Sequence, residues 1–540
     1  MSEVFDSINI EVFNTAWVDV TADVKANPHP RWNRGIMSNR PQDRVGHPGI
    51  FTFTLNNSAS NSARLAGYYS PGHANCWVGW TTGLPVRLSF TFEDIPYYKY
   101  YGRIKPDGIR VEPGIYGART VDVTCGDWMW IAGQHELKTM TYATNQKIGD
   151  IVTSVNANMP FAPLATSIAT GVETFPTAFD MTTSRTTALA EYTKAALSEW
   201  AYIYVRGNTT GGETLVVENQ TTRTSATAVG KISLPVSASY PIEDENAANI
   251  LDENGATILA DGVQDATFNN LMSEGMSVSY GKTQANRANL TTYPRRVDAA
   301  ATTVLWALQK SFKIDAGETI TGYRGQYRDP SNPNIKVSGM SMAVMVSGTD
   351  YIATANEDGT GGSKTANLTV TPAFGSEAVI FTLSANATLW VQTLQVKGKG
   401  IYTDTPIQSV QENPASQLVH GVIPVTLDFK YQADARKGQA FGSYIIAKEA
   451  WPRQSVDQCP MWANAGATRM MGFLQMEPGM KGEFIETQSG VNTDYFVMGY
   501  SAEIFPGGVV LWNPVLKDDP GYYSFWLWGS GLWGTTTIWA

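Results

Sequence analysis

The sequence predicts a mostly β, multi-domain protein with some α+β structure in its middle part. Short runs that alternate apolar and polar residues recur toward both ends of the chain, and Gly, Pro and Asn separate these runs. Only three segments show the spacing of an amphipathic helix. At 540 residues the chain is too long for a single hydrophobic core, so we expect about three to five domains.

Residues 1–133 are predicted to form an antiparallel β-domain. The candidate strands are the alternating runs INIEVF, WVDVTADV, GIFTFTL, PVRLSFTF and TVDVTC. Between them, the loop GYYSPGHAN at 67–75 combines turn residues with aromatic ones. We therefore expect an ordered loop that packs its Tyr rings rather than a flexible linker.

Residues 134–223 change to an α+β pattern. In TTALAEYTKAALSEW, the residues Leu189, Tyr192 and Ala196 recur at i, i+3 and i+7, and the preceding Ser and Thr residues are suited to cap the first turn. IGDIVTSVNANM has similar spacing. The runs AYIYVRG and ETLVVEN follow on either side of a Gly-rich turn at 207–212, so a helix is predicted to lead into a β-hairpin.

Residues 224–292 form a connecting segment in which we assign no elements from the sequence. Residues 293–405 return to a β-pattern, with turn signals at the short, regular spacing of a β-sandwich-like domain. Within this domain TTVLWALQK fits either a helix or a strand. The β-branched Thr302 and Thr303 favour the strand.

Residues 406–540 are predicted to form a second β-domain with one helix, DARKGQAFGSYIIAKEA, which Asp434 is placed to cap. Gly438 and Gly442 lie four residues apart, so they would let a neighbouring backbone approach closely, at a cost of about 1 kcal/mol each in helix propensity. From Thr468 onward we expect only β-structure.

The composition favours a protein that is partly buried in an assembly. Charged residues make up only 16% of the chain and aromatic residues 11%, and interface cores are depleted in Lys, Glu and Asp but enriched in Tyr and Trp. The net charge of −10 and the absence of a Lys/Arg cluster disfavour nucleic-acid binding. The acidic N-terminus and the absence of a long apolar run predict neither a signal peptide nor a membrane-spanning helix, so we expect synthesis in a cytoplasm.

We predict no catalytic, cofactor-binding or metal-binding residues. The chain contains no GxSxG motif, no GxxxxGK[ST] loop and no DxDxDG calcium loop, and its five histidines are isolated. Cys76, Cys125 and Cys459 are too scattered for a disulfide framework or a zinc site, so we expect buried free thiols. Carboxylate pairs such as Glu93 and Asp94 are interpreted as solvated turn residues, although a glycosidase pair would need only a suitable separation of two such groups.

The aromatic C-terminus is the most unusual feature of the composition. Alternation in YSFWLWG would make both faces of a strand apolar, so another domain or a partner subunit must cover the outer face, with a receptor or sugar platform as a further alternative. The candidate interface residues are Tyr522, Tyr523, Trp526, Trp528 and Trp533.

Several linked segments resemble the tail-tip (baseplate) hub-type minor tail proteins of long-tailed, siphovirus-like bacteriophages. In order, they are WVDVTADV, NRPQDRVGHPGIFTFTLNNSASNSARLAGYYSPGHAN, GLPVRLSFTFED, YGRIKPDGIRVEPGIYGARTVDVTCGDW, SEWAYIYVRG, TYPRRVDAAATTVLWALQ, LQVKGKGIY and NTDYFVMGYSAEIFPGGVVLWNPVL. The resemblance covers most of the chain and is weakest over residues 224–290.

The resemblance implies that residues 1–133 and 406–540 form two tail-tube-like β-barrels, joined by a small helix-bearing domain and a β-sandwich-like insertion. It also implies a homotrimer in which six barrels continue a sixfold tail tube through paired strand edges. The implied role is structural and not enzymatic. The ring would close the tube at the virion tail tip, anchor the distal tail protein, the tape-measure protein and peripheral fibres or adhesins, and open for DNA ejection without binding DNA specifically.

Two alternatives stay open at this point. A distal tail or adhesin-type protein would bind host surface glycans by itself. A secreted glycoside hydrolase of the sandwich type would degrade a polysaccharide with a pair of carboxyl groups.

Overall fold

The computed structural model describes residues 5–114, 119–137, 140, 143–179, 186–233, 237–241, 259–263, 276–486 and 489–518. Most regular elements in these ranges are β-strands, as predicted. The α-helices of the described residues are Trp128–Gln134, Ile148–Ala157, Ala188–Glu199, Pro414–His420, Ala435–Glu449 and Ala467–Gln475. Among them we find no helix with the length and apolar character needed to cross a lipid bilayer.

The largest sheet has twelve strands, of which eleven come from the two ends of the chain and one, Ala228–Ser233, from the connecting segment. The strands are Ser7–Asn14, Ala16–Asp19, Arg31–Gly35, Ile50–Asn56, Pro85–Phe92, Ile95–Glu112, Thr120–Gly126, Ala228–Ser233, Met461–Trp462, Lys481–Glu486, Val491–Phe505 and Val509–Lys517. All five runs predicted near the N-terminus supply a strand to this sheet, although WVDVTADV is extended only as far as Asp19 and forms a 3-10 helix at Thr21–Asp23. In Ile50–Asn56 one face is fully buried, and on it Phe51, Phe53 and Leu55 are at most 2% exposed.

The two terminal β-regions are joined by backbone pairing, at a boundary that we call the seam. There, Arg31–Gly35 pairs antiparallel with Val491–Phe505. Gly35 has a φ of +82°, and a Cβ at this position would lie 2.6 Å from the carbonyl oxygen of Met498, so the close approach requires glycine. No sheet of the described residues closes on itself, so the two expected barrels are not confirmed. One open sheet spans both regions instead.

The hydrophobic core behind this sheet is also shared between the two terminal regions. The ring of Phe473 meets Phe90 edge to face, with centroids 5.4 Å apart, and lies 6.1 Å from Trp512. The loop at 67–75 is ordered, as predicted, because Tyr68 stacks on Trp77. The core therefore depends on residues from opposite ends of the chain.

Several elements were missed or wrongly expected. The helix Ala467–Gln475 contradicts the expectation of pure β-structure after Thr468. Its apolar residues Met470, Phe473 and Leu474 have helical spacing, but the run is too short for periodicity to distinguish a helix from a strand. The short helices Trp128–Gln134 and Pro414–His420 were missed for the same reason.

The α+β region agrees with its prediction. Both expected helices are present, and Tyr202–Gly207 pairs antiparallel with Glu213–Glu218 as the expected hairpin. Thr187 caps the second helix, because its side-chain oxygen accepts an amide hydrogen bond of 3.2 Å from Ala190. The remaining strands of this region are Glu136–Leu137, Ala143–Gln146, Ala165–Ile168, Phe175–Ala178 and Thr186–Thr187.

Two sheets enclose one core between residues 293 and 405. One contains Arg295–Val297, Thr303–Ala307, Phe312–Ile314, Ser338–Met340, Tyr351–Thr354 and the long strand Leu389–Thr403. The other contains Thr319–Gln326, Leu368–Phe374 and Ala378–Ala385, and a small hairpin pairs Arg328–Asp329 with Asn332–Lys336. The strand at Thr303–Ala307 settles the ambiguity of TTVLWALQK in favour of the strand.

The predicted helix Ala435–Glu449 packs on a sheet of Arg287–Thr292, Ile407–Glu412 and Pro424–Phe429. Asp434 caps it, as predicted, by accepting a 2.9 Å hydrogen bond from the Arg436 amide. The two glycines do lie against the sheet, but side chains and not the expected backbone approach them: a Cβ at Gly438 would lie 2.8 Å from the Thr292 side chain, and one at Gly442 would overlap the Leu290 side chain. The remaining pairs of strands are Ser237–Pro241 with Leu259–Val263, and Ser277–Tyr280 with Gln454–Gln458.

Candidate functional site

A group of deeply buried charged residues lies where the two terminal β-regions meet the α+β region. We call it the junction cluster, and its members are Arg34, Lys99, Asp127, Glu213 and Glu477. The five residues come from five separate elements or turns, and none is more than 5% exposed. Charged residues are rarely buried without partners, so the cluster identifies a place where three parts of the chain depend on one another.

Arg34 lies at the centre of the junction cluster. Its strand turns both Trp32 and Arg34 inward, because residues two apart share a face of a sheet. The Arg34 Nη2 atom lies 3.5 Å from Glu213 Oε2, and Nη1 lies 3.8 Å from Glu477 Oε2. One guanidinium of the seam therefore faces a carboxylate from the hairpin and a second one from the C-terminal region.

Glu477 accepts hydrogen bonds from three donors. Lys99 Nζ and the Tyr500 hydroxyl both donate to its Oε1 atom, the latter at 3.0 Å, while the Gly207 amide donates to Oε2 at 2.7 Å. Burial by itself would raise the pKa of Glu477. The charges of Lys99 and Arg34 outweigh burial and hold this pKa below its usual value.

In Asp127 and Glu213, burial outweighs the effect of the nearby positive charge, so their pKa values are raised. Burial raises the pKa of Glu213 to about 8, although Arg34 opposes the shift, and it raises the pKa of Asp127 to about 7. Asp127 also accepts amide hydrogen bonds from Gly49 at 2.8 Å and Trp130 at 3.0 Å, so it caps the helix that follows it. These two carboxyl groups therefore titrate near neutral pH, where surface carboxylates are fully ionised.

A second buried pair extends the junction toward the C-terminal strands. Arg223 Nε and the Tyr204 hydroxyl each donate to Glu218 at 2.7 Å. The Arg223 guanidinium lies over the rings of Tyr202 and Phe496, 3.8 and 4.7 Å from their centroids. These contacts attach the α+β region to the strand that contains Phe496.

The chemistry of the junction cluster suits cohesion. Its two cations, Arg34 and Lys99, both pair with Glu477, and removing one partner of a buried ion pair costs about 3–5 kcal/mol because the other charge is left without compensation. Within the described ranges, no group of three or more His, Cys, Asp or Glu residues is arranged to hold a metal ion.

The residues singled out by the sequence lie elsewhere. The interface candidates Tyr522, Tyr523, Trp526, Trp528 and Trp533 are outside the described residues. The three cysteines form no disulfide with one another. Cys125 and Cys459 are buried, as expected, whereas Cys76 is only half-buried.

The junction cluster itself was not predicted, although the sequence contained a signal for it. Lys99 interrupts the aromatic strand YYKYYG, and Arg34 shares the inward face of RWNRG with Trp32. A charged residue on an apolar face requires a buried partner. The partners Glu213 and Glu477 could not be identified, because they are distant in sequence.

Comparison with known proteins found similarity to solved structures only. No family model matches the chain, and no curated protein matches it in sequence. The chain is similar to the tail protein from Neisseria meningitidis MC58, with 9% identity, a TM-score of 0.45 and coverage of 95% of this chain and 97% of that one. It is also similar to the 43 kDa tail protein of prophage MuSo2 from Shewanella oneidensis, with 9% identity, a TM-score of 0.44 and coverage of 96% and 100%.

A third similar structure is the prophage tail protein gp18 from Listeria monocytogenes EGD-e, with 7% identity, a TM-score of 0.38 and coverage of 94% of both chains. All three solved structures are described as tail proteins, and two of them as prophage proteins. At these identities and TM-scores the likeness carries no conclusion about what this chain does.

Proposed function

We propose that this protein is a structural component of a bacteriophage tail tip, a hub that closes the distal end of the tail tube as a ring of three copies. The linked sequence motifs support this role. The single observation that carries it is the pairing of Arg31–Gly35 with Val491–Phe505, which joins the two terminal β-regions in one sheet. Each chain would then supply two successive positions of a ring, and three chains would supply six.

Two outer strands of the twelve-stranded sheet are suited to extend it into neighbouring copies. Among the described residues, Ala16–Asp19 pairs only with Ser7–Asn14, and Ala228–Ser233 pairs only with Lys481–Glu486. An unpaired edge presents N–H and C=O groups that bind a further strand. Contact of one edge with the other edge of the next copy is heterologous, and such contacts generate rings when the rotation closes.

The proposed ring performs mechanical work in the virion. It anchors the distal tail protein, the tape-measure protein and peripheral fibre or adhesin proteins, and it opens when DNA is ejected. The net charge of −10 suits a channel that passes DNA without holding its phosphates. The role requires no enzymatic step.

Electron microscopy of virions and native mass spectrometry of the purified protein test this proposal. We expect three copies per assembly and a threefold ring, with six β-regions, at the distal end of the tail. A chain that stays monomeric at micromolar concentration and occupies no position at the tail end would show that the proposal is wrong.

A further inference from the structure

A cleft of about 390 Å³ opens on the polar face of the twelve-stranded sheet, directly over the seam. We call it the seam cleft. Its floor includes Arg31, Thr52 and Thr124 from the N-terminal region and Glu503 from the C-terminal region. The N-terminal region therefore supplies most of the cleft, and the C-terminal region adds one carboxylate.

Strand register places the polar side chains of the floor in one row. Glu503 lies opposite Arg31, Arg31 lies opposite Thr52, and Thr52 lies opposite Thr124. Residues directly opposite each other on one face of a sheet have Cβ atoms about 4.5–5.5 Å apart. The row is thus a continuous line of one carboxylate, one guanidinium and two hydroxyl groups across four strands.

A second row and one wall add further polar groups and an aromatic rim. Thr54 lies opposite Asp122 and donates a 2.7 Å hydrogen bond to its Oδ1 atom. Residues 25–30 leave the sheet and form the wall, which includes His29. The His29 ring packs on Phe505, with centroids 4.3 Å apart, so an aromatic surface borders the polar floor.

We propose that the seam cleft binds a saccharide unit through its hydroxyl groups. A sugar hydroxyl both donates and accepts hydrogen bonds, and the floor offers donors at Arg31 and acceptors at Asp122 and Glu503, with threonine hydroxyls that do both. The ring of His29 offers a flat surface for the apolar face of a pyranose. The volume lies within the range of about 300–1,000 Å³ that is usual for small-molecule sites.

Other ligand classes fit the seam cleft less well. A phosphate at Arg31, the one cation of the floor, would also meet the carboxylate of Glu503 directly opposite it, so its charge would be repelled. An apolar side chain would remove water from this polar floor without replacing the hydrogen bonds. The saccharide is the class that satisfies both the donors and the acceptors.

Binding in the seam cleft would not lead to hydrolysis. Asp122 and Glu503 lie on strands that are separated by three inter-strand steps, or about 14 Å. The two carboxyl groups of a glycosidase are about 5–9.5 Å apart. The seam cleft is therefore a recognition site. This role does not depend on the number of copies in the proposed ring.

Saturation-transfer NMR and calorimetric titration of the full chain test this inference. The probes are purified oligosaccharides of neutral hexoses, deoxyhexoses and N-acetylhexosamines. We expect at least one of them to bind, and we expect Asp122→Asn and Arg31→Ala to weaken its binding about tenfold or more, because each removes a charged hydrogen-bond partner. Glu357→Gln is the matched control, since Glu357 is an exposed carboxylate outside the cleft, and it should leave binding unchanged.

Thr124→Val is nearly isosteric and keeps the test decisive if another variant fails to fold. It should weaken binding about threefold to tenfold with an unchanged thermal unfolding midpoint. Failure of every oligosaccharide to bind, or equal binding by the wild type and Thr124→Val, would overturn the inference. Cleavage of a bound oligosaccharide would contradict the assignment as a recognition site.

Discussion

Glu477 is the residue through which the junction cluster joins both of its cations. It faces Lys99 and Arg34, and it also accepts hydrogen bonds from Tyr500 and Gly207. Neutralising this single side chain would leave two buried positive charges with less compensation. Glu477 is therefore the most informative residue for a test of the junction.

We expect Glu477→Gln to lower the free energy of unfolding by about 3–5 kcal/mol, because the variant keeps the shape of the side chain but removes its charge from a buried site. Urea unfolding followed by circular dichroism measures the change. Glu112→Gln is the control, since Glu112 pairs with Arg110 at 2.9 Å but is 47% exposed, and its effect should stay below about 1 kcal/mol. Equal effects of the two variants would show that the junction cluster is not cohesive.

The stability of the protein should also fall as pH rises through the range in which Glu213 and Asp127 titrate. Folding raises their pKa values to about 8 and about 7. The carboxyl pKa values of the unfolded chain are near 4. Between about pH 4 and pH 8 the unfolded chain therefore holds fewer protons than the folded one. The contribution of these groups is complete below about pH 4 and is lost as pH rises through about 7 to 8.

Urea unfolding midpoints measured from about pH 6 to pH 9 test this dependence. Glu213→Gln should flatten the fall, because its amide does not titrate. An identical pH dependence of the wild type and the variant would exclude Glu213 as its source. The lowered pKa of Glu477 has its effect at acidic pH and does not interfere in this window.

At the scale of elements, two helical glycines that look alike in the sequence have different surroundings. A Cβ at Gly442, in Ala435–Glu449, would overlap Leu290, whereas one at Gly133, in Trp128–Gln134, meets only Leu189 at 3.4 Å. Helix propensity alone favours alanine at both positions by about 1 kcal/mol. Packing therefore decides whether an alanine at each position stabilises or destabilises the protein.

We expect Gly442→Ala to destabilise the protein by about 1–3 kcal/mol, because the added methyl group forces the helix away from its sheet. Gly133→Ala should be neutral or stabilise the protein by up to about 1 kcal/mol. Thermal unfolding of the two variants measures both effects. A stabilising Gly442→Ala would mean that this helix does not pack as closely as described.

Elements with strong local patterns were predicted well, and elements with short or mixed patterns were not. The helix Ala188–Glu199 has both a capping residue, Thr187, and an apolar face, so the sequence was sufficient to place it. The helix Ala467–Gln475 has no side-chain cap and is one short apolar run. Such runs adopt the conformation that their tertiary neighbours impose.

At the scale of the whole molecule, the edge strand Ala16–Asp19 offers a test of assembly that is independent of stability. Val18 is 38% exposed on this strand, and a charged side chain on an edge strand opposes pairing with another chain. We expect Val18→Lys to abolish the trimer while the secondary structure stays intact. Sedimentation velocity and circular dichroism measure the two properties.

Thr382→Lys is the matched control for the assembly test. Thr382 is exposed like Val18, but its strand, Ala378–Ala385, has a paired strand on each side at this position, with Thr321 and Thr371 opposite. This variant should leave the trimer unchanged. If both variants assemble equally well, the edge at Ala16–Asp19 is not the contact between copies.

Local patterns in the chain account for its mostly β character, the helix-to-hairpin unit and the caps at Thr187 and Asp434. Each of these depends on residues within a few positions of one another. The single sheet, the shared core, the junction cluster and the seam cleft depend instead on contacts such as Arg34 with Glu477. Backbone pairing and close packing select these partners across the length of the chain, and no local period encodes which partner is chosen.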